Sequence, residues 1–423
     1  MTCNTLLLDT GSIAAASPVC PKVLSFEDAQ QEFIAAAPLP TAVELVPHSK
    51  SAGFVLAEPV SAVLDLPHSD SSAMDGYAIR HEDYAPGKTL AVQERCYAGG
   101  VPSPLAERSA TRLFTGVTIP AGADTVVMQE YVRKCSGEIE IIAAPRRGQH
   151  VRKRGEDVRI GQLLMPVGAL VGPAHIALMS AQGIDRVAVF SKLRVGILTT
   201  GDELVEPGRP RGPHQTFDSN ASMLAALVEG MGAPASRIVH ARDSESEIRR
   251  ALTQLLPDCD LIISAGGVSV GERDLVRPAI ESLGATMSVW QVRMKPGKPL
   301  ALATVAGKPF VRLPGNPAAA FATFTLLVTP MIRRMQGKTA ILPPVPQFAL
   351  DAQRKAHEYR DEFLRVRSSV DDEGRVRLTP FEQQSPAALG SLAAATGLAR
   401  VRPGQEVNRG DAVRYYDFQH WLA

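Results

Sequence analysis

The sequence predicts a multi-domain protein of the α/β plus β class, centred on a doubly wound, mostly parallel α/β domain. Three observations carry this. From Lys192 onward, apolar β-like runs alternate with helical patterns: RVGILTT, SNASMLAALVEGMG, SRIVHARD, ESEIRRALTQLL and DLIISA follow one another. That alternation is the pattern of a parallel sheet covered by helices on both faces. Between about Val60 and Arg147 the pattern is instead short β-like runs with frequent Gly and Pro, such as GYAIR, TLAVQERCYA and ADTVVMQEYV. Beyond Pro343-Pro344-Val345-Pro346, which reads as a linker, the remaining chain has the look of a small β domain.

The bulk properties bound the rest. A chain of 423 residues exceeds one ordinary core. Its 45% hydrophobic and 21% charged residues are those of a soluble globular protein. A formal net charge of +1 gives no global electrostatic case for nucleic acid. No apolar run approaches the ~18 residues that a membrane span needs. The five cysteines are scattered without a CxxC pair, which argues for a reducing cytoplasm and against a zinc or disulfide framework. Residues 1–24 lack a basic leader and carry Asp9, so a disordered tail is expected there.

Elements follow in order. Ser25-Phe26-Glu27-Asp28 opens a helix, with Ser25 as cap and Asp28 at the capping-box position. A basic cluster, Arg146-Arg147 and Arg152-Lys153-Arg154, precedes Gly155-Glu156-Asp157. A solvated face, a nucleic-acid patch and a polyphosphate pocket are all compatible with such a cluster. Pro173–Ala181 reads as a helix with Pro in its first turn. The strand run DLIISA leads into Gly266-Gly267-Val268-Ser269-Val270-Gly271 and then Glu272-Arg273-Asp274. Glycines let backbone approach an anion, and free N–H groups at a helix start favour negative charge. Acids beside such an anion pocket call for a bound cation, because they would otherwise repel the ligand.

Further loops are candidates, and those after the strands RVGIL and FVRL are expected at the same sheet edge. Thr199-Thr200-Gly201-Asp202-Glu203-Leu204 follows the strand RVGIL; its acids could hold Mg²⁺ or could belong to a solvated, capping turn. Met294-Lys295-Pro296-Gly297-Lys298-Pro299 puts two lysines on a Pro/Gly-fixed turn, suited to an anion or simply solvated. Leu313-Pro314-Gly315-Asn316-Pro317 is a rigid turn between a strand and a helix. Asp75-Gly76, Phe114-Thr115-Gly116 and Gly122-Ala123-Asp124 read equally well as plain turns. No Ser/His/Asp arrangement or HExxH is present, so acids, lysines and glycine loops point to metal-assisted chemistry on a phosphate-bearing ligand.

The words SSAMDGYA, FTG with PAGADTVVMQE, RKRGED, TGDEL, SAGGVSVGERD, MKPGKP and LPGNP, in this order, resemble the MoeA family of molybdopterin molybdenumtransferases, to which the C-terminal half of gephyrin also belongs. The resemblance runs from about Ser25 to the C-terminus. It implies an elongated, discontinuous linker domain (25–60 and 148–190) and a β-rich inserted domain (61–147). A molybdopterin-binding α/β domain (191–340) and a C-terminal β-barrel (341–423) would follow.

The implied activity inserts molybdate into adenylylated molybdopterin with release of AMP, using Mg²⁺ or another divalent cation. The implied assembly is a cytoplasmic homodimer with a cleft shared between subunits. A molybdopterin adenylyltransferase and later cofactor-handling proteins are implied partners, and neither a nucleic acid nor a membrane is. Two other readings stay open: adenylyl transfer from ATP by the α/β domain, and a non-catalytic binding scaffold. Carried over by motif, Glu203, Asp243 and Asp274 are the cation- and molybdate-side carboxylates, with Glu203 and Asp274 on the metal. Lys295 and Lys298 meet anionic oxygens, Gly266, Gly267 and Ser269 cradle the pterin phosphate, and Pro314 and Pro317 shape the pocket wall. Asp75, Thr115 and Asp157 come from the second subunit, and Arg360, Arg365 and Ser391 from the barrel. Ser71, Ala265 and Gln291 depart from the usual pattern, as does the Gly-Ser word in QQSPAALGSLAAA.

Overall fold

The computed structural model describes residues 23–266 and 275–423. The chain forms two compact units: Val43–Val189, and the preceding residues through Ala42 together with Phe190–Ala423.

The Val43–Val189 unit holds a six-stranded sheet. Its order is Thr125–Met128, Gly76–Ile79, Ser109–Leu113, Thr89–Cys96, Glu138–Ile141 and Val132–Cys135. Alternating residues bury one face, so Tyr77, Ile79, Leu90, Val127 and Ile139 share a core. A second core joins Leu56, Met165, Val171, Val187 and Val189 to Met179 of the helix Pro173–Ala181, which starts on its proline.

The larger unit begins with α1 (Phe26–Ala35), whose cap is formed as expected: Asp28 N–H donates to Ser25 Oγ at 3.1 Å. Of the expected tail, residues 1–22 lie outside the described residues, while Leu24 pairs with Val292 in a parallel bridge. The α/β part follows with β1 (Val195–Thr200), α2 (Ser219–Gly230), β2 (Ala235–Ala241), α3 (Glu245–Leu255), β3 (Leu261–Ala265) and α4 (Val276–Glu281). It continues with β4 (Thr286–Val289), β5 (Ala301–Val305), β6 (Lys308–Leu313) and α5 (Pro317–Thr323). A π turn (Phe324–Val328) joins α5 to α6 (Thr329–Met335). The strand order is β2-β1-β3-β6-β5-β4; β2, β1, β3 and β6 run parallel, β5 pairs antiparallel with β6, and β4 pairs antiparallel with β5.

Both faces are covered, and the period of two decides which residue faces which helix. Ile197, Ile263 and Val311 face α1, α2 and α6 through Phe33, Leu224 and Ile332. Their neighbours Leu198, Ile262 and Phe310 face α3 and α4 through Leu252 and Ile280. Each fully buried side chain of this kind contributes about 1.5–3 kcal/mol. A one-residue slip would exchange both sets, which fixes the register.

The C-terminal part is a closed five-stranded barrel of β7 (Gln347–Leu350), β8 (Asp361–Val370), β9 (Val376–Pro380), β10 (Gly397–Val401) and β11 (Ala412–Asp417). Closure runs β8-β9-β7-β11-β10 and back to β8, which abolishes free edges within the ring. Leu350, Leu364, Val366, Leu378, Val401 and Val413 fill the interior. Outward-facing Phe363 and Tyr416 pack on Phe26 of α1, with ring centroids 4.9 and 6.2 Å away. Met294–Lys295 extends β8 by parallel pairing, opposite Asp361 and Glu362.

Candidate active site

In an order that runs β2-β1-β3, the chain leaves β1 in one direction and returns on the other side, which opens a crevice beyond the carboxyl ends of β1 and β3. The loops expected at one edge meet there. A cavity of about 630 Å³ is lined by Thr200, Gly201 and Glu203 after β1, Asp243 after β2, Gly266 after β3, and Pro314 to Pro317 after β6. Pro299 of the lysine turn also lines it.

Glycines make this convergence possible. A Cβ on Gly266 (φ +103°) would lie 2.7 Å from the Thr200 carbonyl oxygen, and one on Gly315 would lie 3.6 Å from the Gly266 Cα. Three loops therefore touch backbone to backbone. At Gly201 (φ +148°) the space is filled by the Glu203 carboxylate, 2.6 Å from where a Cβ would sit.

The acids at the mouth are uncompensated. Asp202, Glu203 and Asp243 are exposed, and none has a basic partner within ion-pair distance among the described residues. Asp243 N–H donates to Asp202 Oδ1 at 3.3 Å, holding the β1 and β2 loops together. Such a set of hard carboxylate oxygens suits a hard divalent cation such as Mg²⁺. No three acid, His or Cys side chains converge into a metal-binding group among the described residues. Asp274, the second expected metal ligand, lies outside the described residues, as do Gly267 and Ser269.

The two lysines differ. Lys295 Nζ is 2.6 Å from Glu362 Oε1 of β8, so its charge is partnered. Lys298 is exposed and makes no side-chain ion pair among the described residues, which leaves its ammonium free for an anion.

In the barrel, Arg365 and Ser391 are brought together: Arg365 Nε donates to Ser391 Oγ at 3.0 Å. The guanidinium is fully buried and also donates to the carbonyls of Gln383 and Ser385 at 3.0 and 2.9 Å, and burial pulls its pKa down. These bonds fix the 383–391 loop. Ala318 and Ala319 N–H groups at the start of α5 donate to the Pro386 carbonyl, and Ala387 and Leu389 line the cavity. Arg360 is partly buried, with no ion pair among the described residues.

Sequence reasoning missed Asp218, Asn220, Pro299, Ala387 and Leu389 as cavity residues. Asp218 caps α2, accepting from Ala221 N–H at 3.0 Å, and Asn220 Nδ2 donates to the Gly315 carbonyl at 2.7 Å. The signal for the first was the run Asp-Ser-Asn before an apolar helix, a cap signature. Nothing local marks the loop contacts, which join distant segments.

The Val43–Val189 unit gathers the other words. Thr115 N–H and Oγ both donate to Asp75 Oδ1 at 2.9 Å, and these bonds hold the Asp75 carboxyl below the usual carboxylate range. Ser71 and Ser72 pair with Arg152 and Val151. Asp70 accepts from Lys153 Nζ at 2.7 Å and from Arg154 N–H at 2.9 Å. The basic cluster is thus tied to local acids, Arg154 to Asp65 and Arg147 to Asp124 among them. Asp157 is exposed, its N–H bonded to the Leu66 carbonyl.

Comparison with known proteins agrees with this organisation. Three family models match in order: the MoeA N-terminal region (domain I and II) at residues 24–183, the "Probable molybdopterin binding domain" at 196–334, and the MoeA C-terminal region (domain IV) at 347–418. A molybdopterin molybdenumtransferase of Haemophilus influenzae is 32% identical over 95% of this chain and 100% of its own. One from Nostoc sp. is 39% identical over 69% of each chain. The crystal structure of a molybdopterin biosynthesis MoeA protein from Pyrococcus horikosii superposes with a TM-score of 0.80 at 30% identity, covering 95% of this chain and 100% of that one. The protein belongs to the MoeA family.

Proposed function

We propose that the protein is a molybdopterin molybdenumtransferase that inserts molybdate into adenylylated molybdopterin and releases AMP. The observation that carries this reading is the convergence of Glu203, Asp243, Gly266, Pro314 and Pro317 on one cavity at the switch point of the α/β sheet. The name borne by the Haemophilus influenzae and Nostoc relatives supports the same reading. A cavity of about 630 Å³ falls in the range of small-molecule sites.

Glu203 and Asp274 would hold a divalent cation, Mg²⁺ by the hardness of their oxygens, and that cation would supply charge neutralisation at the phosphoanhydride. The chain's own groups do the positioning. Asp243 orders the oxyanion side of the site, and Gly266, Gly267 and Ser269 let backbone N–H groups approach the pterin phosphate. Lys298, with Lys295 after release from Glu362, meets molybdate and phosphate oxygens; Arg360, Arg365 and Ser391 belong to the barrel side of the same site. Glu203, Asp243 and Gly266 already stand at one cavity, so they need little reorganisation for the cleavage step.

The active form in this reading is a cytoplasmic homodimer in which Asp75, Thr115 and Asp157 of a second copy complete each cleft. Val63, Leu64, Ile160 and Leu163 of the Val43–Val189 unit are each about half exposed or more, and such apolar surface supports a covering partner. The free thiols Cys96, Cys135 and Cys259 suit a reducing compartment. No helix among the described residues is long and apolar enough to cross a membrane. A molybdopterin adenylyltransferase would supply the substrate, and cofactor-handling proteins would receive the product.

The test is AMP release from adenylylated molybdopterin with molybdate and Mg²⁺. Glu203→Gln is expected to slow it about 100-fold or more. Near-normal release would remove Glu203 from the cation site. ATP consumption with molybdopterin and no molybdate would favour adenylyl transfer instead.

A further inference from the structure

A second charged cavity sits on the outside of the barrel, and nothing in the proposed reaction uses it. It measures about 240 Å³ and is lined by Gln347, Arg400, Arg402, Gln405 and Arg414. Strand register creates it. Arg414 of β11 lies opposite Gln347 of β7 on one side and opposite Arg400 of β10 on the other. Residues directly opposite in antiparallel strands share a face, so one row presents an amide and two guanidiniums outward. Arg402, two residues beyond Arg400, falls on the same side, and the turn brings in Gln405.

The charges do not balance locally. Arg400 is nearly fully buried and consumes both nearby carboxylates: its Nε is 2.6 Å from Asp361 and its Nη1 is 2.7 Å from Glu27 of α1. Its guanidinium is further fixed over the Phe26 ring at 4.7 Å. Arg402 and Arg414 are exposed, and neither has a carboxylate within ion-pair distance among the described residues. With Arg400 neutralised, the charges left over are those of Arg402 and Arg414, and a bound anion would offset them. Gln405 turns its side-chain carbonyl inward, accepting from Arg402 N–H at 3.1 Å, which leaves its amide NH₂ as a donor. The site therefore offers donors and positive charge around a buried, rigidly held arginine.

We infer that this cavity is a second oxyanion site, taking a tetrahedral phosphate-class group held by the Arg402 and Arg414 forks and the Gln405 amide. Guanidinium forks match phosphate oxygens in geometry as well as charge. Its volume lies below the roughly 300 Å³ at which drug-sized ligand sites begin, so the group enters as a free ion or as the end of a phosphate monoester. The inference does not depend on the reaction proposed above.

The experiment titrates the full-length protein with orthophosphate and, separately, with glycerol 2-phosphate, at fixed ionic strength, by calorimetry. The parent is expected to show a saturable site that weakens about tenfold or more in the Arg402→Gln/Arg414→Gln double variant. Phosphate should also raise the unfolding temperature of the parent more than that of the variant, each measured against its own phosphate-free value. Tighter binding of the ester assigns the site to a monoester; equal or tighter binding of orthophosphate assigns it to the free ion. Equal binding of both probes by parent and variant overturns the inference, as does a variant that responds to phosphate in thermal unfolding as the parent does.

Discussion

The Glu203 carboxylate folds back over Gly201, so that a Cβ at residue 201 would lie 2.6 Å from Glu203 Oε2. The glycine is therefore part of how the acid is aimed. Gly201 closes the turn after β1 at φ +148°, and its missing side chain leaves the space the carboxylate occupies. The neighbouring Gly266 solves a different problem, since its obstacle is the Thr200 backbone carbonyl rather than a movable side chain.

The two glycines should therefore fail differently. In Gly201→Ala the carboxylate can swing away, so the fold survives with a strain of about 1–2 kcal/mol while AMP release falls toward the Glu203→Gln level. In Gly266→Ala the backbone itself must shift, and the loss of stability should be the larger of the two. Denaturant unfolding beside AMP release separates them; a Gly201→Ala enzyme with normal turnover would show that the Glu203 position is not needed.

Arg365 and Ser391 are bonded to each other but should not be equivalent. Arg365→Ala leaves the Gln383 and Ser385 carbonyls and the Ser391 hydroxyl without their donor inside the barrel–loop contact. These three partners are only partly buried, so water can replace some of the lost bonds, and a loss of about 2–3 kcal/mol is expected. Ser391→Ala removes one bond and should cost about 1 kcal/mol. Urea unfolding of the two variants checks the ordering.

Much of this was legible in the residues. The alternation after Lys192 gave the strands and helices in order, because each buried strand is a compact apolar run with turn residues at its ends. TGDEL, LPGNP and the opening of the SAGG loop met at one edge because parallel strands put all their carboxyl ends there. The direction of β5 was not legible. Its hairpin with β6 turns on Ala306 and Gly307, at φ +48° and +77°, and Ala-Gly is a weaker turn signal than Asn-Gly. Nor could the sequence show that Lys295 meets Glu362 or that the 383–391 loop reaches the cavity, since both contacts join segments far apart in the chain.

The Thr115–Asp75 pair gives a titration test. Thr115→Val removes the Oγ donor and keeps the backbone one, so the Asp75 carboxyl should titrate higher than in the parent but still below an unperturbed aspartate. The pair contributes stability above the unfolded-state pKa, and that contribution fades as pH falls through the lower folded-state value. Carbon-detected NMR titration of the Asp75 side chain reads this directly. An unchanged Asp75 pKa would mean that the Oγ bond is not held in solution.

The stability cost of holding Lys338 in the folded chain should fall as pH rises. Burial, with Arg333 nearby, pushes its pKa from 10.5 down to about 8. Below pH 8 the amine is charged in both folded and unfolded chains, and the folded state bears the full cost of holding it. Between about pH 8 and 10.5 the folded chain releases this proton first, so the cost is progressively relieved and stability from this group rises with pH. Lys338→Met, which keeps the length and removes the charge, is therefore expected to gain about 1–3 kcal/mol at pH 7, with partial exposure setting the lower end. That advantage should shrink steadily between pH 8 and 10.5, because the parent catches up as its lysine neutralises. Other alkaline titrations occur in both proteins and cancel in the difference. Paired denaturant unfolding at pH 7, 9 and 10.5 measures the gap; one that stays constant or widens with pH would show that the ammonium is solvated rather than buried.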